Sequence, residues 1–129
     1  MPSPRDEFVD HCLELLGRLG PCRARRMFGG QGIYVGDVFI ALIAGRRLYL
    51  KTDALSLPAF ASQGGEPFRF EARGQSMTTS YWSVPDGAME SPELMTPWGR
   101  RALDAALRAK AATAQRPLKR VAASRKARP

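Results

Sequence analysis

The chain has 129 residues and a formal charge of +8 at pH 7, a length that fits one hydrophobic core and not two independent ones. Six of the cations, Arg116, Lys119, Arg120, Arg125, Lys126 and Arg128, follow Gln115 with no carboxylate among them, which leaves only +2 for the rest and argues against a deeply basic groove across the folded body. No apolar run approaches the roughly 20 residues needed to cross a bilayer, and two cysteines without ligand spacing or a secretory signal point to a soluble, reduced, cytoplasmic protein.

Ser3-Pro4 followed by Arg5-Asp6-Glu7 predicts a helix start, because Ser3 is a capping residue, proline fits the first turn and carboxylates suit the positive end of the dipole. Phe8, Cys12, Leu15, Leu16 and Leu19 recur at helical spacing as one apolar stripe, and Gly20-Pro21 closes the helix. His11, the single histidine, lies beside that stripe with no ligand or nucleophile near it and reads as a boundary residue. Cys12 reads as core. Cys22, between Pro21 and Arg23, is the candidate for a lowered thiol pKa, with a structural role as the plainer reading.

Arg23, Arg25 and Arg26 lead into Met27-Phe28-Gly29-Gly30-Gln31-Gly32, whose glycines predict a loop or bulged strand with close backbone approach. The run lacks the lysine and hydroxyl of a P-loop and opens a strand instead of a helix, so a structural turn is preferred over a phosphate cradle. Ile33 to Val35, Val38 to Ile43 and Leu48 to Leu50 then read as three antiparallel strands. Gly36-Asp37 predicts a tight type II′ hairpin turn, and Ala44-Gly45-Arg46 a looser one. Leu48 and Leu50 point to one side and Arg47, Tyr49 and Lys51 to the other, so the third strand is half wet. The nearly continuous apolar run of the middle strand predicts a central position, covered on both faces or used for association on one.

Thr52-Asp53 predicts a cap for a short helix from Ala54 to Ser62, ended by Gln63-Gly64-Gly65. Phe68 to Glu71 and Met77 to Val84 form a second hairpin, in which Tyr81 and Trp82 point to opposite faces, one to the core and one outward. Ser91-Pro92-Glu93 and Thr96-Pro97-Trp98 are two successive helix starts, the second launching a terminal helix to about Thr113. The expected class is therefore α+β, a two-layer domain over 1–113 with an antiparallel sheet of about five strands in the order α-β-β-β-α-β-β-α. The segment 114–129 has too few large apolar residues to fold alone and reads as a disordered basic tail.

The motif order Arg26-Met27-Phe28-Gly29-Gly30, Gly32-Ile33-Tyr34, Phe39-Ala41-Leu42 and Arg47-Leu48-Tyr49-Leu50-Lys51-Thr52 resembles the N-terminal domain of the TfoX/Sxy competence-regulator family. The likeness continues through Pro67-Phe68-Arg69-Phe70, Met77 to Pro85 and Pro97 to Leu103, covering Phe8 to about Ala112. It implies the same helix-and-sheet order and a bacterial regulator of transcription or DNA-uptake competence. Family members that regulate competence genes carry a second, helical domain and are thought to act with the cyclic-AMP receptor protein, and here the basic tail stands where that domain would begin. The resemblance transfers no catalytic residues, metal or cofactor.

Three functions are weighed. The first is a regulatory module that binds a protein partner or itself through the sheet, while the six tail cations make salt-sensitive, non-specific contact with DNA. The second is a ligand-binding protein or enzyme with a pocket between sheet and helices near Phe28, Gly29, Gly30, Tyr49, Tyr81 and Trp82, although no sequence pattern pairs a nucleophile with a base. The third is a structural or chaperone-like homodimer joined through the sheet.

Overall fold

The computed structural model describes residues 4–27 and 29–127, with side chains described for 7–27 and 29–114. Helix α1 (Pro4–Leu16) passes through a 3₁₀ turn, Gly17–Leu19, into strand β1 (Cys22–Met27). Strands β2 (Gly30–Val35), β3 (Val38–Ala44) and β4 (Arg47–Lys51) follow, then helix α2 (Leu57–Ser62), strands β5 (Pro67–Ala72) and β6 (Gln75–Ser83), a 3₁₀ turn at Asp86–Glu90, and helix α3 (Pro92–Ala127). All six strands join one antiparallel sheet in the order β1-β2-β3-β4-β6-β5.

The α+β class and the helix-and-strand order are those the sequence indicates, with one strand more. Strand β1 is the arginine-rich segment expected as a lead-in to a loop: Ala24 packs against the core while Arg23 and Arg25 are exposed, so its period of two is carried by small and charged residues. The glycine run that follows is a hairpin between two strands, not a phosphate loop, with Met27 paired to Gly30.

The first meander turn is as predicted. Val35 pairs with Val38 across Gly36-Asp37, and Gly36 alone takes a positive φ, 58°, as a type II′ turn requires. The second turn is tight, not loose. Ala44 pairs with Arg47 across Gly45 and Arg46, both at positive φ (56° and 60°), the signature of a type I′ turn.

Helices cover one side of the sheet. Ile33, Ala41, Ile43, Leu48 and Leu50 meet Val9, Cys12, Leu15 and Leu16 of α1 and Met95, Ala102, Leu103 and Ala106 of α3 in one core. Phe60 brings α2 into it and meets the Trp98 ring edge-on at 5.0 Å. The cap of α2 sits one turn before the helix: Asp53 Oδ1 accepts from the Leu55 and Ser56 amides, the Ser56 hydroxyl accepts from the Asp53 amide, and regular helix begins only at Leu57. Asp53 also receives Arg108 of α3 through Nε at 2.6 Å and Nη2 at 3.0 Å, which ties that turn to the final helix.

The two proline starts near the C-terminus merge into one helix. Ser91 caps it by accepting from the Leu94 amide, and Pro97 falls inside it. Pro97 lacks the N–H that would bond the Glu93 carbonyl, so it removes one rung without ending α3.

Candidate functional site

A bulge in β3 decides what the uncovered side of the sheet carries. Ile33 pairs with Ala41 but Tyr34 with Phe39, so Ile40 is an extra residue without a partner in β2. Ile40 and Ala41 are consequently both buried in the core, and Phe39 turns to the opposite face. There its ring lies 5.1 Å from that of Tyr34 and 5.5 Å from that of Tyr81. Gly32 leaves room for this arrangement, since a Cβ there would stand 2.7 Å from Phe39 Cε1 and 2.6 Å from Met27 Cε.

A second row of rings crosses the same face. Tyr49 pairs with Ser83, whose side chain is small enough for the Tyr49 ring to reach Phe68 across β6 at 5.2 Å. Phe68 in turn stacks with Phe70 at 6.5 Å. Ser83 is buried beneath them and satisfied, its hydroxyl accepting from Arg47 Nη2 and from the Glu66 amide. Tyr34, Phe39, Tyr49, Phe68 and Tyr81 are half-buried and lie outside the core cluster, and Phe70 is 44% exposed. Burial pushes the Tyr81 phenol up to about 12, so it stays protonated and neutral at physiological pH.

Cations lie over these rings. The Arg23 guanidinium stands 4.8 Å from the Tyr34 centroid, Lys51 Nζ 5.3 Å from Tyr81 and the Arg47 guanidinium 5.6 Å from Tyr49. Lys51 Nζ also donates to Ser80 Oγ at 2.8 Å, and Arg47 pairs with Glu66 at 3.3 Å. Around the end of the sheet Phe39, Lys51 and Tyr81 border a groove of about 480 Å³, closed on its other side by Ala106, Ala109, Lys110, Thr113 and Ala114 of α3, with Asp37 at its rim.

The residues singled out from the sequence separate into several places. Tyr81 and Tyr49 share the aromatic face, whereas Trp82 pairs with Leu50 and packs against the core. Gly29 borders a different groove, with Phe8, Gln31, Ile43, Gly45 and Arg46, and Gly30 pairs with Met27 in the β1–β2 hairpin. Phe28 and Arg128 lie outside the described residues, and Arg116, Lys119, Arg120, Arg125 and Lys126 fall where no side chain is described. Sequence reading missed Tyr34, Phe39, Phe68, Arg23 and Lys51 as one surface. The alternation of Arg47, Tyr49 and Lys51 was its one visible trace.

The remaining chemistry-bearing side chains are accounted for locally. Cys22 has a raised pKa, not a lowered one: it is half-buried, and its Sγ faces the Leu16 and Gly20 carbonyls at 3.3 and 3.4 Å. Burial pushes the Cys12 thiol up to about 12. His11 Nε2 donates to the Met89 carbonyl at 2.8 Å, joining α1 to the 3₁₀ turn before α3. Among the described residues no group of three or more His, Cys, Asp or Glu side chains is placed to hold a metal ion, and no helix is long and apolar enough to cross a membrane.

The fold and its aromatic face thus define a two-layer α+β domain with helices on one side and a ring-lined, cation-bearing sheet surface on the other. Residues 14–106 match the TfoX N-terminal domain family, and the chain belongs to it. None of the curated proteins compared with the chain matches it.

Proposed function

We propose that this chain is a cytoplasmic regulatory module of the competence-regulator type, which acts by binding a macromolecular partner on its open sheet face and influences transcription or DNA uptake. The observation that carries the reading is the face itself: six rings on five strands, with Arg23, Arg47 and Lys51 placed over them. A structural sheet surface has no need of rings left outside the core, whereas aromatic and arginine side chains are the types that dominate binding energy at interfaces. The six tail cations add a sequence-independent attraction to nucleic acid that weakens with salt.

The test is complementation. In a strain lacking the chain, the wild type is expected to restore the transcript profile, and a full-length Arg23→Glu/Lys51→Glu variant to fail at equal protein level. Full rescue by that variant sinks the proposal. A full-length variant with the six tail cations changed to Gln is expected to rescue in part, because the tail adds attraction and not specificity.

A second reading, small-ligand binding, has one observation behind it, the groove between α3 and Phe39, Lys51 and Tyr81. Its two lysines and apolar walls suit a small aromatic anion. A thermal-shift series with such compounds tests it, and no stabilisation at millimolar ligand argues against it.

A further inference from the structure

We infer that the open sheet face binds single-stranded nucleic acid, with unpaired bases stacking on the two rows of rings and Arg23, Arg25 and Lys51 receiving the phosphates. This rests on the interaction-module reading above and names the class of its partner.

The first support is the geometry of the rings. Tyr34, Phe39 and Tyr81 form one row across β2, β3 and β6, and Tyr49, Phe68 and Phe70 another across β4 and β5. Flat, half-exposed rings on a sheet surface are platforms for bases that have left their stack. A duplex hides those base faces, so the same surface offers it little beyond charge. The Arg23 guanidinium already stands over the Tyr34 ring at 4.8 Å, so a planar group fits there. A base that takes its place frees Arg23 to turn to the adjacent phosphate.

Charge is the second support. Residues 1–115 carry a net +2, but that small total hides a segregation. Eight of the twelve carboxylates fall in α1, α3 and the 3₁₀ turn before α3, where Arg5, Arg100, Arg101, Arg108 and Lys110 offset part of their charge. The sheet face and the adjoining groove hold Arg23, Arg25, Arg47, Lys51 and Lys110 against Glu66, which pairs with Arg47, and Asp37. A face with this local excess of cations attracts a polyanion. It also disfavours a second copy of the chain, because a two-fold contact through this face would set like charges together.

Continuity is the third. Thr113 and Ala114 line the groove beside Phe39 and Tyr81, and the six cations that follow Gln115 come next in the chain. A strand lying across the rings is therefore directed along α3 toward further phosphate-binding charge.

The test is an NMR titration of the full-length ¹⁵N-labelled chain with oligothymidylate and oligouridylate of about a dozen nucleotides, beside a duplex of equal length, at low and moderate salt. Shifts are expected on all six strands for the single strands, with the duplex bound more weakly. Tyr34→Leu and Lys51→Gln, each checked for a native spectrum, are expected to lower affinity about tenfold. Absence of binding at low salt overturns the inference, as do shifts confined to residues beyond Ala114 or affinity unchanged in both variants. Concentration-dependent shifts of the face without oligonucleotide would assign it to a second copy. Equal binding of polyglutamate would assign it to an acidic protein segment. Failure to bind by a chain whose face variants still fail in complementation overturns this inference alone, whereas full rescue by those variants overturns the regulatory reading.

Discussion

Gly30 and Gly32 lie two residues apart in the same strand, and replacing each by alanine is expected to give very different results. A Cβ at Gly30 would overlap the Ile43 carbonyl oxygen, with the Ile43 carbonyl carbon at 3.3 Å and Ala44 Cα at 3.7 Å, all backbone atoms. Relief demands that β2 and β3 separate locally, where the Gln31–Ile43 pair holds them. At Gly32 the new methyl would meet Met27 Cε at 2.6 Å, Phe39 Cε1 at 2.7 Å and Met27 Sδ at 2.9 Å, and these are side-chain ends. Methionine swings aside at little cost, and the ring tilts. Overpacking against fixed backbone lies at the upper end of its usual range, so Gly30→Ala should cost about 3 kcal/mol. Gly32→Ala should cost about 1 kcal/mol or less once the reduced freedom of the unfolded chain is counted. With a urea dependence of about 1.5 kcal/mol per molar for a domain of this size, the midpoint should fall by about 2 M for the first and under about 0.7 M for the second. Urea unfolding followed by Trp82 and Trp98 fluorescence reads both. A Gly30→Ala midpoint within experimental error of the wild type, or a Gly32→Ala variant that is the less stable of the two, would refute the close-approach reasoning.

The Asp53 carboxyl is held down to about 2, chiefly by the hydrogen bonds from Arg108 and also by the Ser56 and Leu55 amides. Its stabilising contribution is thus complete above the unfolded value of about 4 and is lost as pH falls through the folded one. Asp53→Ala should cost about 1 kcal/mol at neutral pH through the lost turn acceptor, with the gap to the wild type closing toward pH 2; urea midpoints across that window check it, and a pH-independent gap would contradict it. Both thiols should react slowly with a disulfide reagent at mildly alkaline pH in the folded chain and rapidly in denaturant, Cys12 having about a thousandfold less thiolate than an ordinary cysteine. Reaction of Cys22 in the folded chain at the unfolded rate would show that it is not held against Leu16 and Gly20.

Local chemistry made much of the fold legible. The turn at Gly36 follows from a two-residue loop whose first position needs positive φ, and the half-wet β4 from the alternation of Arg47, Leu48, Tyr49, Leu50 and Lys51. The stripe on α1 and the cap at Ser91 were equally plain, because each depends only on neighbours three or four residues away. Strand β1 was not legible, since Arg23, Arg25 and Arg26 give no apolar alternation and the strand exists because it pairs with β2.

The candidate surface is a product of tertiary structure. Phe39 reads as one more residue of an apolar run, and only the extra Ile40 in β3 moves it from the core side to the open side. Tyr49 meets Phe68 because Ser83, distant from both in sequence, is small where β6 passes between them. The charge balance behaves likewise: the sum of +2 over the body is set by sequence, whereas strand pairing decides that Arg23, Arg25, Arg47 and Lys51 share one face of the sheet. Periodicity and turn chemistry are local and survive in one dimension, but a bulge, a cross-strand neighbour and the sign of a face are set by contacts between distant segments, which only the folded chain brings together.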